Sequence, residues 1–192
     1  MPDLFQQQSP LVKIDLGDAR GNAPDIREVP FLGYLNLRGR SNDTAFLAAL
    51  LKVLGCEPPV EANTMVESGD HRIYWLGPDE WLIVTPTGQQ GRVQAELKVA
   101  LEGVFSSLVD NSSGLTMVEI SGDHAAALLA SDCPFDLHPR AFKPGQCAQT
   151  RLAKAGMTIT PMRGGNGFEV IIRRSFADYI GLWMKDAAVE FE

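Results

Sequence analysis

Cysteine is scarce in this chain: Cys56, Cys133 and Cys147 are the only three among 192 residues. They form neither a CxxC pair nor a cluster with histidine, which excludes a disulfide framework and a zinc site as organising devices and leaves reduced, buried thiols as the expectation. Histidine is equally sparse. His71, His124 and His138 have no partner at HExxH spacing, and no GxSxG elbow occurs. Seventeen Lys and Arg against 24 Asp and Glu give a net charge of −7, and no basic run is longer than Arg173 and Arg174. That balance argues against nucleic acid or any other polyanion as a partner. No apolar run approaches the roughly 18 residues of a membrane span. The amino-terminal MPDLFQQQSP also lacks the basic start and apolar run of a signal peptide, so a cytoplasmic chain without a membrane partner is expected. Hydrophobic residues make up 45% of the chain, enough to bury the core of one domain or of two small lobes.

What the chain does have is an internal echo centred on Leu115 to Thr150. A strand-like LTMVEISG runs into Gly122, the apolar DHAAALLA follows, and Cys133 and Pro134 break it. The same order begins at Leu35 with LNLRG, then SNDTAFLAALLKVLG, then Cys56 and a double proline. Each copy continues into a hairpin-like stretch and an apolar-periodic one. Gly39 and Gly122 stand 83 positions apart, Cys56 and Cys133 77, and Ile83 and Ile171 88. The pattern predicts an α+β chain of two diverged strand-helix-hairpin-helix repeats, about 31–107 and 108–192, in one domain spanning 31–192. Residues 1–30 are poor in core-forming runs and are expected to be an extended amino-terminal arm. Within it Leu4, Phe5, Leu11, Val12, Ile14 and Leu16 are more apolar than a solvated tail needs, which points to cover by a partner.

Taken in order, Phe31 to Leu37 alternates as a strand, and Ser41, Asn42 or Asp43 caps a helix that Gly55 stops. Arg72 to Trp75 and Glu80 to Val84 flank a turn, and Val93, Leu97, Ala100, Leu101 and Val104 recur at helical spacing. Thr150 to Ala153, Met157 to Pro161 and Phe168 to Ile172 are further strands, and Ser175 is placed to cap a final helix. Few residues suggest chemistry. Asp136 and His138, two apart in PFDLHP, would form an acid/base pair in an extended segment, although a proline-flanked loop that satisfies its own backbone is the preferred reading. Arg173 and Arg174 would either bind a carboxylate, such as a folate glutamate tail or a neighbouring subunit's side chain, or stand as solvated strand-end charges. Trp75 and Trp81 read as packing rather than as an aromatic cage. Gly164 to Gly167 lie between two strands, where a hairpin turn and not a phosphate loop is expected. Asp15, Asp18 and Asp25 are too irregular for a calcium loop. No catalytic, cofactor-binding or metal-binding residue is assigned.

The signatures LGPDEWLIV, VDNSSGLTMVEISGD, CPFDLHPRAF, GQCAQT and FEVIIRRSFADYIGLWMKDAA, in that order, resemble the gamma subunits of heterotetrameric sarcosine oxidases over roughly Leu35 to the carboxyl terminus. The resemblance implies a fold related to the folate-binding domains of the glycine-cleavage T-protein. It implies a non-catalytic subunit of an oxidoreductase that demethylates sarcosine to glycine with hydrogen peroxide and passes the one-carbon unit to tetrahydrofolate. By the same resemblance alpha, beta and delta subunits are the partners, alpha foremost. FAD, FMN, NAD, tetrahydrofolate and zinc lie on those subunits, with no cofactor in this chain. The alternatives are the equivalent subunit of an N-methyl amino acid dehydrogenase, for instance one acting on N-methylglutamate, and a free-standing folate-binding module.

Overall fold

A computed structural model describes residues 7–16 and 21–192. The first half of the chain forms β1 (Asp25–Val29), β2 (Gly33–Gly39), α1 (Thr44–Leu54), β3 (Met65–Ser68), β4 (His71–Gly77), β5 (Glu80–Thr85) and α2 (Gln90–Ala100). The second half forms β6 (Ser106–Asp110), β7 (Leu115–Ser121), α3 (Ala125–Ala130), β8 (Ala148–Leu152), β9 (Ala155–Pro161), β10 (Gly167–Arg173) and α4 (Ala177–Ala188). Two five-stranded sheets result, ordered β3-β4-β5-β2-β6 and β8-β9-β10-β7-β1, with every pairing antiparallel. The two orders superimpose strand for strand, so the repeat read in the sequence is present in the topology.

The fifth strand of each sheet breaks the simple repeat. β1 precedes the first copy in the chain yet pairs with β7 of the second, whereas β6 precedes the second copy yet pairs with β2 of the first. Each repeat therefore borrows its edge strand from the segment in front of the other. This differs from the expected amino-terminal arm. Ile26 is buried in the second sheet's core, Leu11 is 3% exposed, and Ile14 and Leu16 pack against the same cluster. Leu11 and Ile14 lie on α4 where Gly181 leaves room; a Cβ there would come within 2.8 Å of Leu11 Cδ2. The apolar residues assigned to a partner's cover are thus partly covered by the chain itself, although Val12 stays exposed. Leu4, Phe5 and Asp18 lie outside the described residues.

Strand alternation divides the interior into three layers. Leu35, Leu37, Ile73, Trp81 and Ile83 point to α1 and α2, where Phe46 stands 5.5 Å from Trp81. Val118, Ile120, Phe168, Val170 and Ile172 point to α3 and α4. Tyr34, Tyr74, Leu82, Val84, Met117 and Ile171 fill the space between the sheets. Registers correct one landmark of the repeat. Leu35 pairs with Ile83 and Val118 with Val170, so Ile83 corresponds to Val170, and Ile171 faces the other way.

Local signals explain most boundaries. Asp43 Oδ1 accepts from the Ala45 and Phe46 amides, and Gly55, at φ 77°, closes α1 in the left-handed region. Gly39 is required for a different reason, since a Cβ would lie 2.2 Å from the Phe46 ring. Ser175 is not the cap expected for the last helix. A 3₁₀ turn, Arg174–Phe176, precedes α4, whose N-cap is Phe176, with no side-chain hydrogen bond at that position.

Candidate functional site

The layer between the sheets carries the polar groups that packing alone does not explain. Its two ends differ. Inward positions of β10 are Glu169, Ile171 and Arg173, and those of β5 are Glu80, Leu82 and Val84. By register Glu169 corresponds to Leu82, so a carboxylate stands in one repeat where the other has a leucine. It is 8% exposed, its Oε1 is 2.9 Å from Arg72 Nη2, and its Oε2 accepts from the Tyr74 hydroxyl at 3.2 Å. Burial raises the Glu169 carboxyl above its ordinary value, with Arg72 opposing, and burial likewise raises the Tyr74 phenol. The Tyr34 hydroxyl is buried nearby without a hydrogen-bond partner among the described residues, and its phenol is also raised, chiefly by burial. The group is a closed lock that joins β4 of one sheet to β10 of the other.

The opposite end is open. A cleft of about 570 Å³ lies between the sheets, walled by Leu76, Leu82, Leu115 and Ile171 and edged by Asn36, Glu80, Asn111, Gln149, Thr158 and Arg173. Among the described residues Glu80 is the one acidic residue lining it. Both its oxygens are engaged: Oε1 accepts from Asn36 Nδ2 at 2.8 Å, and Oε2 pairs with Arg38 at 2.5 Å. Gln149 Nε2 donates to the Leu76 carbonyl at 2.7 Å and ties the sheets together at the rim.

The other residues weighed from sequence fall elsewhere. Asp136 Oδ1 accepts from the His138 amide at 3.0 Å and His138 Nδ1 from the Arg140 amide at 3.2 Å, so both side chains serve their own loop's backbone. Arg173 and Arg174 diverge, the first to the cleft and the second toward the Gln8 carbonyl at 3.4 Å. Trp81 is fully buried, donates to the Pro59 carbonyl at 2.7 Å and pairs across strands with Trp75, leaving no cage between them. Gly164 to Gly167 make the β9–β10 turn, closed by the Met162 amide on the Gly167 carbonyl. All three cysteines are free, and Cys133 and Cys147 are buried, but Cys56 is only partly so. Among the described residues no three His, Cys, Asp or Glu side chains converge as a metal site, and no helix is long and apolar enough to cross a membrane. Sequence reasoning missed the Arg72–Tyr74–Glu169 lock. Its one available signal was Glu169 inside the otherwise apolar FEVII.

Two antiparallel sheets face to face with helices outside define the fold class of the aminomethyltransferase T proteins. The glycine-cleavage aminomethyltransferase T of Bartonella henselae superimposes with a TM-score of 0.66 at 15% identity, covering 86% of this chain and 46% of that one. Within that class the chain belongs to the sarcosine oxidase gamma subunit family, whose model matches residues 38–190. The gamma subunit of sarcosine oxidase from Corynebacterium sp. (strain P-1) is 32% identical over 167 residues, which is 86% of this chain and 80% of that protein. A chain of the heterotetrameric sarcosine oxidase from Corynebacterium sp. U-96, solved with pyrrole 2-carboxylate, superimposes with a TM-score of 0.86 at 28% identity, covering 96% of both chains.

Proposed function

We propose that this protein is the gamma subunit of a heterotetrameric sarcosine oxidase and acts there as a structural, non-catalytic chain. The observation that carries the reading is the end-to-end correspondence, 96% of each chain, with a chain of a heterotetrameric sarcosine oxidase. A correspondence over the whole length of both chains supports a shared role more strongly than a shared domain alone would. The assembly oxidises the N-methyl group of sarcosine with oxygen, giving glycine and hydrogen peroxide, and transfers the one-carbon unit to tetrahydrofolate. Alpha, beta and delta subunits are its partners, alpha the main contact, and they carry FAD, FMN, NAD, the folate and zinc. The setting is the cytoplasm. The chain's own part is to hold a rigid two-sheet body against them. Its polar residues fit that role, since Asp136 and His138 serve their loop and Glu169 serves the inter-sheet lock.

The test is purification through an affinity tag on this chain, expressed beside its genomic neighbours, followed by peroxide assay. Sarcosine-dependent hydrogen peroxide from a multi-subunit, flavin-bearing complex is the expected result. Turnover of N-methylglutamate in preference to sarcosine, or recovery of this chain alone, would overturn the reading.

A further inference from the structure

The open end of the inter-sheet layer has the features of a ligand site that the structural role leaves unused. Its volume of about 570 Å³ falls within the range of small-molecule pockets, and its mixed lining includes the apolar Leu76, Leu115 and Met157 above Leu82 and Ile171, which are each 4% exposed. The corresponding positions at the other end are occupied by the chain's own Arg72, Tyr74 and Glu169. Here none of the described residues fills the gap.

Charge sets the ligand class. Six arginines of the described chain are in ion pairs: Arg27, Arg38, Arg72, Arg92, Arg151 and Arg163. Arg173, like Arg40, Arg140 and Arg174, has no such pair among the described residues. Among the described residues it is the one cation lining the cleft. It sits at the end of β10, on the same inward face as Ile171, and the lining carboxylate among the described residues, Glu80, is already held by Asn36 and Arg38. An unpaired guanidinium above an apolar floor selects an anion with an apolar body, and the planar fork favours a carboxylate over a spherical ion. Asn111 and Thr158 also line the cleft with no side-chain hydrogen bond among the described residues, which leaves them free to orient a bound group.

We propose that the cleft between the sheets binds a small aromatic or branched aliphatic monocarboxylate, with Arg173 holding the carboxylate and Leu82 and Ile171 covering the apolar body. Every residue lining the cleft comes from this chain.

The test is NMR titration of the full-length chain, labelled at Ile and Leu methyls, with sodium benzoate and, separately, with benzamide as its uncharged counterpart. Benzoate is expected to shift the Leu82 and Ile171 methyls saturably below about 10 mM. Benzamide is expected to bind at least about tenfold more weakly, and Arg173→Met to weaken benzoate by at least about tenfold. Because Arg173 is exposed, the variant should keep the wild-type unfolding midpoint. Arg173→Lys, which keeps charge but loses the fork, should fall between the two. Absence of a saturable shift, an equal response to benzamide, an unchanged affinity in Arg173→Met, or shifts centred away from Leu82 and Ile171 would each overturn the proposal. Since the chain is titrated alone, a failure here leaves the oxidase reading untouched.

Discussion

Glu169 shows how one residue ties the two halves together. A leucine at this position would match its counterpart Leu82, yet it would leave the partly buried Arg72 guanidinium and the buried Tyr74 hydroxyl without their partner. Glu169→Leu is therefore expected to cost about 3 kcal/mol, while the triple variant Arg72→Met, Tyr74→Phe, Glu169→Leu should regain most of it, because removing a whole buried polar set is nearly neutral. Urea unfolding of the two variants checks this; equal losses in both would show that the group does not act as a unit. The same residue predicts a pH dependence. Its carboxyl is raised from 4.5 by burial, so the cost of ionising it inside is absent below 4.5 and is reached once the pH passes the raised value. Its contribution to stability thus falls as pH rises through that interval, and Glu169→Gln should remove this slope from the unfolding free energy. A slope identical in the two proteins would contradict the assignment.

Among the elements, the amino-terminal segment changes most in meaning. Leu11 packs on α4 beside Gly181 and is 3% exposed, so Leu11→Ala is expected to destabilise the lone chain by about 2–5 kcal/mol. Thermal unfolding of the isolated subunit measures it, and an unchanged midpoint would return the segment to the role of a clasp for a partner. The sequence shows why this was hidden. Leu11 sits among Gln, Ser, Pro and Lys with no periodicity around it, and DIREV offers one buried residue, Ile26, in a five-residue edge strand. β6 is fainter still: SSLVD has no residue that is fully buried. Elements that bury a full face were legible, among them α1 with Asp43 and Gly55 at its ends and the β4–β5 hairpin. The final helix was legible too, but its start was misplaced at Ser175, because a 3₁₀ turn carries the chain into it without a side-chain cap. The inter-sheet cleft left no local signature, since its lining comes from β2, β4, β5, β7, β8, β9, β10 and the β6–β7 connection and is brought together only by the fold.

For the whole molecule, exchange of β1 and β6 implies that the repeats are not independent folding units. A cut between α2 and β6 leaves the first half with a strand that belongs to the other sheet and without its own edge. Fragments 1–104 and 105–192 are expected to be unstructured when expressed apart and to gain cooperative unfolding when refolded together, as circular dichroism would report. A cooperative transition in either fragment alone would show that the borrowed strand is dispensable.

That rigid, strand-exchanged body is what the account assigns to an oxidase assembly, and native mass spectrometry of the complex purified through this chain tests the assignment most directly. The account predicts one species in which this 20.9 kDa chain is present with three different partner chains. Recovery of the chain only as a monomer, or as an oligomer of itself, would contradict it.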